Sequence, residues 1–197
     1  MRHPGGIAGV LAAVDRALWL VTSGHAGRRG GLVATFVSEA SIVPEAPRVV
    51  VGLARRHYTW DLVQASGSFA LHLIGADHLE WVWRFGLASG RDLDKLAGLE
   101  TRAAATGAPI LVGALGWLDC RVEARLETGD RTIYLAAVEA GELAERGEPL
   151  TVKRMLALAP QERRRAMDEL LARHVEMDRA AIQAWREGRR WPGVCIA

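Results

Sequence analysis

Residues 117–127, WLDCRVEARLE, alternate between apolar and charged side chains: Leu118, Cys120, Val122, Ala124 and Leu126 are set against Asp119, Arg121, Glu123, Arg125 and Glu127. Successive side chains of a strand point to opposite faces, so this segment is stable with one face buried and the other wet. Thr128, Gly129 and Asp130 follow as a turn, and RTIYLAAVEAGEL then supplies a partner strand. The pair reads as a long antiparallel hairpin, which needs no helical crossover and commits the chain to a mainly β fold.

The other segments fit that sheet. ALWLVTS runs into a glycine-rich turn, GHAGRRGG, while GLVATFVSEAS, PRVVVGLA and SFALHLI are short, rich in β-branched or aromatic residues and bounded by Gly, Pro or Ser; such segments mark strands. Helical additions are expected over residues 7–16, where Ile7, Val10, Leu11 and Val14 recur at helical spacing, and over TWDLVQASG, ADHLEWVWRFG and RDLDKLAGL, each opened by Thr, Asp or Ser in a capping position. From Pro160 the chain turns to QERRRAMDELLARHVEMDRAAIQAWREG, a long amphipathic helix with Met167, Leu171, Val175, Ile182 and Trp185 near one face. Short strands joined by hairpins favour a closed antiparallel barrel over a Rossmann sheet, and closure also removes exposed edges. The length of 197 residues suits one domain, 1–150, with a C-terminal helical extension, 151–197.

Charge narrows the function classes. With 25 Lys and Arg against 23 Asp and Glu, the net charge of +2 gives no electrostatic case for nucleic acid or an anionic membrane surface. Cys120 and Cys195 belong to no CxxC or CxxH pair, which argues against a zinc site or a disulfide scaffold and fits a reducing compartment. Asp15 and Arg16 interrupt the apolar N-terminal stretch, so the chain reads as cytoplasmic rather than led by a signal peptide.

The usual catalytic signatures are missing. Gly24, Gly27, Gly30 and Gly31 are spaced GxxGxxGG rather than GxGxxG and lead into a strand, which marks a hairpin tip, not a nucleotide loop. There is no Walker sequence and no GxSxG elbow; Cys120 falls on an apolar strand face, and His72 and His174 show no metal-ligand spacing. Two segments do suit a phosphorylated cofactor. Thr35, Ser38 and Ser41 place hydroxyls near a strand end, and Arg55, Arg56 and His57 precede Thr59 at a helix start, where backbone N–H groups and an Arg fork favour an anion. On spacing alone the plainer reading is favoured, with Thr59 an N-cap and Arg55 and Arg56 a solvated charge pair.

At these residues the sequence resembles a known family, the flavin reductase-like proteins built on the FMN-binding split barrel. The resemblance runs from about Ala17 to Leu143 and is carried in order by ALWLVTS, GGLVATFVSEASIVP, ARRHYTWDLVQASGSFALHLI, FGLASGRDLDKLAG, TGAPILVGALGWLDCRVEA and ETGDRTIYLAAV. It implies an antiparallel, Greek-key split barrel that binds FMN, commonly as a homodimer with the flavin near the subunit interface, and often reduces it with NADH or NADPH. Carried over by position, Val33, Ala34, Thr35 and Phe36 line the flavin ring, largely through backbone groups. Ser41, Arg56 and Thr59 hold the phosphate, with His57 in the same turn. Ser89, Gly90, Arg91 and Lys95 approach the flavin or the partner subunit.

The chain departs from the family pattern at named places. Thr35 and Phe36 stand where many members have Asn and Ser, and Pro44 and Glu45 where many have a Pro pair. The frequent Gly-Asp-His of the last hairpin is Gly129, Asp130 and Arg131 here. That histidine is linked to nicotinamide binding in relatives, so Arg131 is the candidate substrate contact. No side chain is expected to act as acid, base or nucleophile, because the cofactor carries the reaction; Lys95, Arg91 or Arg131 would stabilise an anionic reduced flavin. The competing readings are an FMN electron carrier with no nicotinamide site of its own, and a split barrel for another ligand such as haem. A monooxygenase or electron-transfer protein would be the partner. The tail helix is expected to pack on the barrel or the partner subunit, its alternative being a lid over the flavin.

Overall fold

The computed structural model describes residues 6–144 and 147–188; Cys195, with the end of the tail, lies outside them. Strands β1 (Trp19–His25) and β2 (Arg28–Ala34) form a hairpin whose turn residues Ala26 and Gly27 have φ of 49° and 76°. Two residues at positive φ make the tight turn that matches strand twist, and glycine takes its second position without steric cost. The glycine cluster therefore serves the hairpin.

After Thr35 and Phe36 the same run of chain becomes β3 (Val37–Glu39), which pairs with β4 (Arg48–Ala54) instead of β1. The Phe36 carbonyl already accepts from the Gly52 N–H at 2.9 Å. Next come α2 (Tyr58–Ser66), β5 (Ser68–Leu73), a 3₁₀ turn, α3 (Leu79–Leu87), a small ribbon of β6 (Thr101–Ala103) and β7 (Pro109–Leu111), and the long hairpin of β8 (Gly116–Glu127) and β9 (Arg131–Leu143). Helices α4 (Val152–Leu158) and α5 (Gln161–Gly188) end the description, and α1 (Gly6–Ala13) opens it. The large sheet has the order β2-β1-β5-β8-β9-β4-β3, all neighbours antiparallel. Its two ends are consecutive stretches of one chain, and the sheet between them forms a split Greek-key barrel whose edge strands β2 and β3 are not paired with each other.

Val21, Val51, Phe69, Leu71, Cys120 and Tyr134 fill the barrel. A second apolar layer outside it joins Leu18, Leu20, Trp83, Phe85, Leu150 and Met155. This layer explains α4, which is too short to persist alone: Met155 is buried on it, Thr151 caps its start by accepting from the Arg154 N–H, and Leu18 and Leu150 are joined by a 2.8 Å backbone hydrogen bond. Burying each such side chain contributes about 1.5–3 kcal/mol.

Three local expectations are corrected. The alternation of β8 does not hold throughout, since Asp119 is fully buried while Ala124 and Leu126 are exposed. Register shifts at Asp119/Cys120 and Val122/Ala124 turn the strand, and the Thr106 N–H and hydroxyl satisfy the buried Asp119 carboxylate. Residues 91–99 form successive turns rather than a helix: Asp94 caps the Leu96 N–H at 2.9 Å and Gly98 sits at φ 72°. Local side-chain bonds of this kind compete with helical ones. Finally, α2 opens at Tyr58 with His57 as its N-cap and no side-chain cap, and Thr59 lies inside the first turn with its side chain buried.

Candidate functional site

That uncapped helix start is the floor of the site. The first N–H groups of an α-helix lack intrahelical partners and carry the positive end of its dipole, and here no side-chain oxygen answers them. The turn that carries them lines a cavity of about 310 Å³ bounded by Gly31, Arg56, His57, Thr59, the α3 end through Gly90, Lys95, and α5 at Leu170, His174 and Met177. A second cavity, about 520 Å³, continues from it past Arg56, His57 and His174. Its walls are the Val33–Phe36 stretch, β4 from Gly52 to Ala54, Arg131, and α5 at Leu171, Val175 and Asp178. The bend that splits the barrel thus lies beside the helix start, because β2 passes both.

Arg56 joins the two spaces. Its side chain is mostly buried, its Nη1 pairs with Asp178, and its Nε is buried without a hydrogen-bond partner. A buried donor with no acceptor is costly, and here it belongs to a side chain that lines both cavities. The plainer reading of the arginine pair holds for Arg55, which is exposed over the Trp60 ring, and fails for Arg56. Asp178 also lies 3.5 Å from Arg131, whose Nε donates to Asp130 at 2.6 Å. His57 and His174 meet edge to face with centroids 5.8 Å apart. Burial, Arg56, His174, Lys95 and Arg131 push His57 down to about 3, so both cavities carry a neutral imidazole at neutral pH. Lys95 is buried, donating to the Phe85 carbonyl at 2.7 Å and the Gly31 carbonyl at 3.2 Å, and burial lowers it to about 8.

The apolar walls of the second cavity are unusually open. Phe36, Leu171 and Val175 are 46%, 61% and 44% exposed although they line it. Apolar walls facing one another across a gap, with a few polar groups at one end, are the usual form of a site for a flat, partly charged ligand. Glycines make the room. A Cβ on Gly31 would lie 2.6 Å from the Phe85 ring and 3.0 Å from the Val21 carbonyl. Gly31→Ala is expected to lower stability by about 1–3 kcal/mol through overpacking and to narrow the first cavity; a reduced urea midpoint with weaker ligand uptake checks this, and an unchanged midpoint would show that Phe85 yields freely.

Of the residues expected from sequence, Val33, Ala34, Thr35, Phe36 and Arg131 line the second cavity, Thr59, Ser89, Gly90 and Lys95 the first, and Arg56 and His57 both. Ser41 and Arg91 are outside both linings: the Ser41 hydroxyl accepts from the Val43 N–H, and Arg91 pairs with Asp61 at 2.7 Å. Sequence reasoning missed Asp178 and did not place His174 at the site. The signal was present, because Asp178 occupies the 171, 175, 178, 182, 185 stripe that is otherwise apolar.

A family model described as a flavin reductase like domain matches residues 11–158. The chain belongs to the flavin reductase-like family. It is 33% identical over 147 residues to the actinorhodin polyketide dimerase of Streptomyces coelicolor, covering 74% of this chain and 80% of that one. Several other curated relatives are far longer: the chain spans 23% of a Synechocystis diflavin flavoprotein, to which it is 29% identical over 136 residues. The nitrilotriacetate monooxygenase component B of Mycobacterium thermoresistibile superposes with TM-score 0.64 at 24% identity, over 72% of this chain and 78% of that one. A Streptomyces globisporus NADH:FAD oxidoreductase gives TM-score 0.65 at 22% identity, over 72% and 84%. At these identities the solved structures establish the shared barrel. The flavin reductase-like match ends at 158, so Leu170, His174 and Asp178 come to the site from α5, beyond the matched stretch.

Proposed function

We propose that the chain binds FMN across the two joined cavities and acts as a flavin reductase that takes electrons from NADH or NADPH. The observation that carries this reading is the buried, unpartnered Arg56 Nε beside an uncapped helix start. Arg56, Thr59 and the first amides of α2 would hold the phosphate, a dianion that suits both the guanidinium fork and the helix dipole. Val33, Ala34, Thr35 and Phe36 would face the ring from the barrel side. Bound flavin supplies the hydride-accepting chemistry, which accounts for a site with no nucleophile or acid–base pair. The residues present fit such a cofactor, since Lys95 and Arg131 keep positive charge at the wall and the apolar faces offer a surface for the ring.

Supporting the same reading, the names of similar proteins include a monooxygenase component and an NADH:FAD oxidoreductase. A monooxygenase or electron-transfer protein fits as the partner, and a homodimer in the cytoplasm as the working form, the Cys120 thiol being free and buried. No helix of the described residues is long and apolar enough to cross a membrane. A second reading, an FMN electron carrier without its own nicotinamide site, is favoured by Arg131, whose guanidinium is already engaged by Asp130 and Asp178.

Anaerobic mixing of the FMN-loaded protein with NADH, then NADPH, separates the two. Loss of the visible flavin absorption within seconds supports the reductase. Persistence of colour until a chemical reductant is added supports the carrier. Protein that takes up no FMN contradicts both.

A further inference from the structure

Helix α5 is anchored on either side of the site by apolar packing, Met167 on the outer core layer and Ala181 and Trp185 against the Gly129 turn, while the stretch between them meets the site mainly through charged and polar groups. None of its residues is buried, and Leu171, Val175 and Met177 remain 44–61% exposed along the cavities they line. What ties it down at the centre of the site is Asp178, whose two carboxylate oxygens take Arg56 and Arg131, with His174 against His57 one turn earlier. A contact held by charge can be exchanged for another anion, whereas a buried apolar face cannot. The carboxylate sits on the same guanidinium whose Nε is left over, and a phosphate monoester brings more charge and more acceptor oxygens than a carboxylate.

From this we infer that Asp178 is a specificity-determining latch. Its carboxylate occupies the phosphate-binding Arg56 until a ligand carrying a terminal phosphate takes that guanidinium, and α5 then moves away from the helix start of α2. The latch rests on the flavin-binding reading of this site and adds to it a selection rule: FMN opens the tail, riboflavin does not. A ligand without phosphate must fit beneath a closed α5, and a phosphorylated one gains the freed Arg56 guanidinium.

The test uses the full chain and three probes, FMN, riboflavin and inorganic phosphate. Equilibrium binding is read alongside tryptic cleavage at Arg173 and Arg179, both on α5. In the natural protein, FMN is expected to speed cleavage of α5, inorganic phosphate to do so at higher concentration, and riboflavin to leave it unchanged. Asp178→Asn is expected to expose α5 without ligand and to tighten FMN about 5- to 10-fold with riboflavin unchanged, because the binding-competent state no longer has to be won from the latch. Asp178→Glu keeps the charge and should restore the natural pattern. The latch is overturned if Asp178→Asn loosens α5 yet leaves the FMN-to-riboflavin affinity ratio unchanged, which is what a plain surface ion pair would give. If neither flavin binds the natural protein, the flavin reading itself falls and takes the latch with it.

Discussion

Arg56→Ala is expected to weaken FMN binding by about 30- to 150-fold, equivalent to about 2–3 kcal/mol for a lost charge-assisted hydrogen bond, while riboflavin binding stays within about threefold. The difference between the two ligands is the phosphate, so the ratio isolates what the guanidinium does. The arginine contributes more than its charge, since both the planar fork and the unpartnered Nε point to bidentate recognition. Arg56→Lys should therefore recover part of the loss and not all of it. Fluorescence titrations of both flavins against the three proteins provide the measurement, and equal losses for FMN and riboflavin would place the phosphate elsewhere.

The largest stability effect is expected at His72, which lies outside both cavities. Its ring is fully buried, with Nε2 accepting from the Leu111 N–H at 2.9 Å and Nδ1 donating to the Leu20 carbonyl at 3.2 Å. One neutral tautomer thus joins β5 to β1 and β7. Burial pushes it down to about 4 from 6.5. The folded state therefore refuses a proton that the unfolded chain accepts. Its stabilisation is complete above the unfolded value and is lost as pH falls through the window between 6.5 and 4. The slope is about 1.4 kcal/mol per pH unit for one proton. His57, pushed down to about 3, acts with the same sign. His72→Leu should cost about 2–4 kcal/mol at neutral pH, because it strands a buried N–H and a buried carbonyl. It should also flatten the acid slope by one proton. Urea unfolding at pH 7.5 and 5 checks both, and an acid slope unchanged in the variant would contradict the assignment.

These two residues show where the sequence is legible. The barrel can be read because period-two alternation and hairpin turns are local signals, and the β8–β9 hairpin and the Ala26–Gly27 turn follow from them. The bulges of β8 cannot, because the buried Asp119 depends on a partner at Thr106 that no local pattern announces. The helix start at Tyr58 is hidden because Thr59 looks like a cap, whereas burial of its side chain inside the first turn is a tertiary fact. At the site, the Val33–Phe36 bend, Arg56 and Lys95 come from the family pattern. Asp178 sits 122 residues from its arginine and lies beyond the matched stretch. A charge on an otherwise apolar helical stripe is the one mark it leaves.

A crystal structure of the FMN complex tests the account most directly. The phosphate is expected against Arg56 and the first turn of α2, with the ring between Val33–Phe36 and the opening left by α5. Flavin density in another cavity, or a phosphate far from Arg56, would contradict it.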